Sequence, residues 1–345
     1  MIYLVTKQTN LQDDSYEIIS VEESLKILES LTIVGLDTET TGLNCHKDKL
    51  LSVQLGCKKF QVVIDCTTID IQEYKSYLES DRVFILWNAK FDLKWLYRYH
   101  IVPKNVYDGF LAEKIMWLGY PIVLTVDMWN NIKCDRYDYF PGDSKKDTEA
   151  HYKLQMNLKK AGEMYLGVEL DKSVRGKIIY LGLTPETIAY SANDVKYLED
   201  IKNCQEKLLK EKGLMLAMSY SNKFILALAY MEFCGVKVDI NKWIAKMNKD
   251  NEQLESYKKQ IDEWLIKNDP TSPYITINRQ GNLFEGFDLS PKVTVNWKSS
   301  QQVIPIFKKF GVNLEVLDKK TKKNKDSIDI KVLAPQKDKC SLIPL

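Results

Sequence analysis

Three β-rich runs, residues 32–38, 49–56 and 59–65, follow one another with only short connections between them. Connections of that length join antiparallel neighbours, because a parallel pair needs a crossover of a dozen or more residues. The three runs therefore read as consecutive strands of one sheet. Two shorter strand candidates precede them, at residues 2–6 and 16–20. Between these sets, Ser20-Val21-Glu22-Glu23 has the spacing of a capping box and opens a helix with apolar Leu25, Ile27 and Leu28. A helix over 71–78 and an apolar strand over 82–87 come next, followed by helical patterns over 91–99, 109–118, 154–165 and 185–212. Strands first, then a helix, a further strand and many helices predict an α/β fold, a mixed sheet flanked by helices.

The texture changes after Gly213, a natural C-terminal cap for the helix before it. Residues 223–234 form an apolar helical run closing at Gly235, and residues 241–267 a long polar helix ended by Asn268-Asp269-Pro270. A last helix over 299–310 stops at Gly311. At about 100–200 residues per domain the chain has room for two. The boundary is expected near residue 215, with an α/β domain over 1–215 and a mostly helical region over 216–345.

Seven cysteines are scattered without a C-x-x-C pair, which argues against a zinc site or a disulfide framework and for a reducing compartment. Residues 1–10 lack the pattern of a signal peptide, and the most apolar stretch, 224–236, is interrupted by Glu232 and shorter than the ~20 residues that span a bilayer. A cytoplasmic protein with no membrane partner is expected. A net charge of +2 does not by itself announce a nucleic-acid binder. Lys319, Lys320, Lys322, Lys323 and Lys325 crowd one segment, which reads equally as a phosphate-attracting patch or a solvated loop.

Four carboxylates carry more information. Asp37 and Glu39, two residues apart on a predicted strand, project from the same face. Such a pair is often only an exposed strand end, but close anions raise each other's pKa unless a cation lies between them. Asp92 lies in the first turn of a helix that follows an apolar strand, where interaction with the helix dipole is an ordinary role. Tyr190 and Asp194 stand four apart on a predicted helix and share a face. Each feature alone is common; their order and combination are not.

Strand D-x-E, then N-x-x-x-D across a strand–helix junction at Asn88 and Asp92, then helical Y-x-x-x-D, resembles the three exonuclease motifs of the DEDD superfamily. The tyrosine branch is the match, since the histidine branch would place His where Ala189 stands. That branch includes the proofreading domains of family A DNA polymerases and ribonuclease D. The runs 158–160, 165–172 and 183–186 are also similar to this group, so the resemblance covers most of residues 30–205. It implies a ribonuclease H-like sheet and a 3′→5′ exonuclease that uses two divalent ions, Mg²⁺ or Mn²⁺. Hard oxygen ligands suit those ions, and two of them assist in-line displacement at a phosphodiester.

By the resemblance, Asp37, Glu39 and Asp194 hold one ion, Asp37 bridges to the second, and Asp92 supports that second ion. Tyr190 would orient the attacking water, mainly by position, because an ordinary phenol with a pKa near ~10 is a weak base at neutral pH. Thr38, Leu43, Asn88 and Phe91 match or neighbour positions near the terminal nucleotide; core packing is an equal reading for Leu43 and Phe91.

The second half resembles the thumb of family A polymerases. Residues 228–239 look like the exonuclease-to-thumb junction, residues 296–311 like a later thumb motif, and Lys320, Lys322 and Lys323 like a duplex-gripping tip. The expectation is the front part of such a polymerase, acting on a single-stranded DNA 3′ end or frayed primer terminus in a bacterial or phage-infected cell. The palm and fingers would be a partner, and no nucleotide incorporation is expected from this chain alone. Without a returning thumb helix, residues 223–234 and 303–310 should show uncovered apolar surface in a loose C-terminal region. Two alternatives stay open: a ribonuclease D-like exoribonuclease, and a non-catalytic domain that binds DNA or a polymerase.

Overall fold

The computed structural model describes residues 1–142, 150–170, 174, 177–277, 290–317, 324–340 and 342. They divide into two compact units, Met1–Val236 and Lys237–Leu345.

The first unit is built on seven strands: β1 (Ile2–Val5), β2 (Glu17–Ile18), β3 (Ile33–Thr40), β4 (Leu50–Gly56), β5 (Gln61–Asp65), β6 (Val83–Leu86) and β7 (Asn105–Asp108). They pair in the order β2-β1-β5-β4-β3-β6-β7. β3, β4 and β5 are antiparallel neighbours, as their short connections require, and the other pairs are parallel. This is the mixed α/β sheet with flanking helices read from the sequence.

Alternation along each strand assigns two cores. Val34 and Leu36 of β3, Val62 and Ile64 of β5 and Phe84 and Leu86 of β6 share one cluster. That cluster is covered by α1 (Val21–Leu28), whose Ser20–Glu23 capping box forms, and by α2 (Lys75–Leu78) and α3 (Ala89–Arg98). After α4 (Gly109–Met116) the chain makes a small sheet of β8 (Val123–Thr125), β9 (Tyr137–Phe140) and β10 (His151–Leu154), with α5 (Val126–Ile132) between its first two strands. The helices α6 (Leu158–Leu166), α7 (Ile178–Leu181), α8 (Pro185–Lys196) and α9 (Leu198–Glu211) follow. The remaining strand residues meet them: Leu4 and Val63 pack with Ile188 and Ala192 of α8, and Ile85 and Tyr107 share a cluster with Val195 and Leu198.

β7 and the small sheet were not anticipated in the sequence. Each strand is only three or four residues long, too short for alternation to stand out from the helical pattern around it. The helix expected over 185–212 divides at Tyr197, where the backbone reaches φ −108 and ψ 1.

The first unit also runs past the boundary expected near residue 215. Helix α10 (Met215–Cys234) belongs to it, burying Met218, Ile225 and Ala229. The side chain of Asn222 accepts from the backbone N–H of Asp108 at 3.2 Å, and Glu232 pairs with Lys90 at 2.7 Å and Lys94 at 3.3 Å. The opposite side of α10 leaves Leu216, Tyr220, Phe224 and Met231 exposed, in line with the uncovered surface expected over 223–234.

The second unit opens with α11 (Ile240–Asn268) and continues through α12 (Ser300–Lys309) and two short hairpins. Here the expectation of a loose region is corrected. Val303, Ile306 and Phe307 are buried, together with Leu265, Val295, Val312 and Leu314, in a core of the unit's own. Val295, Val312 and Leu314 from the segments around α12, with Leu265 of α11, share that core with it. Exposed apolar surface lies instead along α11, at Ile240, Trp243, Ile244, Met247, Leu254 and Tyr257. Lys320, Lys322 and Lys323 lie outside the described residues. Among the described residues no helix is long and apolar enough to cross a membrane.

Candidate active site

The site forms where β3 and β6 end and α3 begins, beside the carboxyl edge of parallel strands where ligands of α/β sheets collect. On β3, residues 35, 37 and 39 face one way and residues 34, 36 and 38 the other. Gly35 is on the face that receives α8. A Cβ there would stand 2.6 Å from the Val195 carbonyl oxygen, so only glycine lets the helix come this close. The residue before Val195 is Asp194. The close approach thus delivers the Asp194 carboxylate to the face of β3 that carries Asp37 and Glu39.

One ligand atom from each of Asp37, Glu39 and Asp194 lies within 4.8 Å of the other two. Glu39 and Asp194 are buried and Asp37 is partly exposed. Two unit negative charges at that separation repel by roughly 3 kcal/mol at an effective dielectric of ~20. A cation between them would relieve that repulsion, and the donors of the trio are all hard carboxylate oxygens. That set fits Mg²⁺ or Mn²⁺ and offers nothing to a soft, thiolate-seeking metal. The pairing of β3 with β4 shifts register between Glu39 and Thr40, an irregularity of the kind that re-aims side chains at the end of a strand.

Asp92 approaches from the other side. The hydroxyl of Thr38 donates to its Oδ1 at 2.6 Å. Burial pushes the Asp92 pKa up to about 7; the Thr38 hydrogen bond opposes the rise, and the Asp108 and Glu39 charges add to it. Asp92 stands outside the close trio, yet all four carboxylates line one cleft of about 520 Å³ with Thr38, Leu43, Trp87, Asn88, Phe91, Asn157, Leu158 and Lys159. Leu43 is 84% exposed, which removes core packing as its role. Phe91 is partly buried and does both, packing on the main core while bordering the cleft.

Tyr190 is 6% exposed and stands one helical turn before Asp194. It lines an adjoining cavity of about 400 Å³ with Glu169, Leu170 and Tyr197 rather than the carboxylate cleft, and Asp194 borders both spaces.

Sequence reading missed Asp108. Its buried carboxylate accepts from Asn88 N–H at 3.0 Å and Ala89 N–H at 3.1 Å, and from Phe110 N–H at 3.0 Å and Leu111 N–H at 3.3 Å. One side chain therefore caps α4 and also holds the start of α3, where Asn88 sits in the left-handed region at φ 71 and ψ 53. Its place before an expected helix signals the first role; the second is visible only once β7 lies beside β6. Trp87 and Asn157 carried no sequence signal for the cleft.

Residues 16–210 match the family model of the DNA polymerase A 3′-5′ exonuclease domain. DNA polymerase I of Aquifex aeolicus (strain VF5) is 27% identical over 277 residues, 73% of this chain and 40% of that protein. The chain thus spans less than half the length of this curated relative. The match takes in more residues than the 236 of the first unit, so it includes part of the second. Among solved structures, Brucella melitensis NrnC aligns with 68% of this chain and 94% of its own at TM-score 0.48 and 20% identity. Escherichia coli RNase D, described as an exoribonuclease involved in structured RNA processing, aligns with 69% of this chain and 52% of its own at TM-score 0.48 and 19% identity. With its model matched across more than half of the residues, the family of this chain is the 3′-5′ exonuclease domain of DNA polymerase A.

Proposed function

We propose that the chain removes nucleotides from the 3′ end of DNA with the help of two divalent ions, as the proofreading unit of a family A polymerase. The observation that carries this reading is the close trio of Asp37, Glu39 and Asp194 in a cleft bordered by exposed Leu43. Asp37, Glu39 and Asp194 would hold one ion, and Asp37 with Asp92 the other. When bound, such ions offset the negative charge of the phosphodiester and of its departing oxygen.

The chain's own residues supply the geometry. Leu43 and Phe91 border the cleft as apolar surfaces against which a terminal base can rest, while the amide of Asn88 offers hydrogen bonds to its sugar. Tyr190, one turn from Asp194, would position water from the adjoining cavity that Asp194 also borders. Thr38 acts on Asp92, fixing its carboxylate, rather than on nucleic acid directly.

The DNA assignment is supported by the polymerase I relative, whose match extends beyond the exonuclease unit. In this reading the second unit is the beginning of a thumb, and the remaining polymerase is the partner. The exposed stripe on α10 favours such a partner, since a helix that is apolar all round is usually covered on both sides. A 5′-labelled single-stranded DNA and the matched RNA, incubated separately with Mg²⁺, with Mn²⁺ and with EDTA, test the assignment. The expected result is a ladder shortening from the 3′ end of DNA, faster than RNA, and absent in EDTA. Faster shortening of RNA would move the chain to the exoribonuclease reading. Binding without cleavage of either would make it a non-catalytic binding domain.

A further inference from the structure

The small sheet between α4 and α6 is a module of its own. Leu124, Tyr137 and Leu154 form its core, with Trp129 and Tyr152 packed against them. Tyr152 lies opposite Tyr139 and His151 opposite Phe140 across the β9–β10 pair. One face therefore carries Tyr139 and Tyr152, and the other Phe140, His151 and Lys153. Trp129 stacks on Tyr152 with centroids 4.3 Å apart, Tyr139 is 5.2 Å from Tyr152, and Phe140 stacks on His151 at 5.6 Å. Tyr139 remains 54% exposed and Phe140 40%. On the face of Phe140, Val123 is exposed as well.

The module is continuous with the cleft. Beyond β10 the chain passes through Gln155 and Met156 to Asn157, Leu158 and Lys159, which line the carboxylate cleft. Three residues span at most ~10 Å, so the end of β10 stands close to that cleft. Lys160, beside Lys159 on α6, reaches back to Asp138 of β9 at 2.8 Å and ties the Phe140 face to the cleft wall.

We propose that the Phe140 face of this module is a stacking platform for the unpaired bases upstream of the 3′ end, with Phe140, stacked on His151, as its contact ring. The proposal rests on the exonuclease reading for the direction of the strand. Every base has a π-face, so exposed rings bind single strands without reading sequence. Among the described residues of 120–157, Arg136 is buried against Glu113, and the acidic Asp127, Asp135 and Asp138 more than offset the basic Lys133 and Lys153. Stacking rather than charge is therefore the source of affinity, and the contribution of the platform should change little with salt.

The test compares the wild-type chain with a Phe140→Ala variant and a Phe140→Tyr ring-for-ring control. Three readouts are needed. The first is binding of fluorescent dT12 and dT2 in EDTA. The second is hydrolysis of dT12 in Mg²⁺. The third is hydrolysis of the p-nitrophenyl ester of thymidine 5′-monophosphate, which fills only the cleft. The alanine variant is expected to bind dT12 about tenfold more weakly, at low and high salt alike, and to bind dT2 like wild type. Its KM for dT12 should rise in parallel with kcat retained, its ester hydrolysis should be unchanged, and the control should behave as wild type. Unchanged dT12 binding by the alanine variant overturns the platform, as does equal loss on dT12, dT2 and the ester. Normal platform binding in a wild-type chain that hydrolyses neither substrate would support the platform and sink the exonuclease reading instead.

Discussion

Burial sets the chemistry of Asp92. Its pKa is raised to about 7 from the usual 3.8, so the metal-free fold holds a proton there that the unfolded chain has already released. Stability therefore falls as pH rises from about 4 to about 7, because across that window the native state binds more protons than the unfolded one. Asp92→Asn removes that burden. In EDTA, the melting temperature of the variant relative to wild type should climb from pH 4 to pH 8, while exonuclease activity falls at least ~100-fold. A variant equally shifted at both pH values would contradict the burial argument. Burial raises the Asp108 pKa as well, against four backbone N–H groups that all depend on its one carboxylate. Asp108→Ala leaves them unpaired, and urea unfolding should show a loss of about 2–4 kcal/mol, larger than that of a single helix cap. The difference in legibility between these residues is physical. Asp37 with Glu39, and Tyr190 with Asp194, are pairs whose spacing matches the period of the element that carries them. Asp108 acts on Asn88 and Ala89 through strand pairing, which has no local sequence signature.

At the scale of elements, the approach of α8 to β3 decides whether the trio exists. Gly35→Ala would set a Cβ 2.6 Å from a backbone oxygen, which cannot rotate away as a side chain would. The helix must shift, at a cost of about 1–3 kcal/mol, and Asp194 moves with it. The expected outcome is a kcat loss of tenfold or more with a comparatively unchanged KM; activity at the wild-type level would mean that α8 can be displaced without moving the Asp194 carboxylate. The antiparallel run β3-β4-β5 was legible because loops of that length leave few alternatives. The short strands β7, β8, β9 and β10 were not, because three or four residues are too few for alternation to stand out. The α12 face was misread for a related reason: its apolar residues were recognised, but their cover comes from Val295, Val312 and Leu314 in flanking irregular segments.

For the whole molecule, the boundary after Val236 has a direct consequence. Residues 1–236 contain the complete sheet, both of its cores and α10, so this fragment should melt cooperatively and keep its exonuclease activity. Residues 1–215 would lose the packing of Ile225 and Ala229 and the Glu232 pairs with Lys90 and Lys94. That shorter fragment should melt several degrees lower or accumulate as aggregate; equal melting of the two would return the boundary to residue 215. The central claim is that Asp37, Glu39 and Asp194 form one metal-dependent hydrolytic centre. The measurement that tests it most directly follows 5′-labelled single-stranded DNA under excess enzyme in Mg²⁺, for the wild-type chain beside Asp37→Ala and Asp194→Ala. Progressive shortening from the 3′ end by wild type, reduced at least ~1,000-fold in either variant while both retain the wild-type melting profile, is the outcome the account requires. Undiminished shortening by a folded Asp37→Ala or Asp194→Ala chain would contradict it.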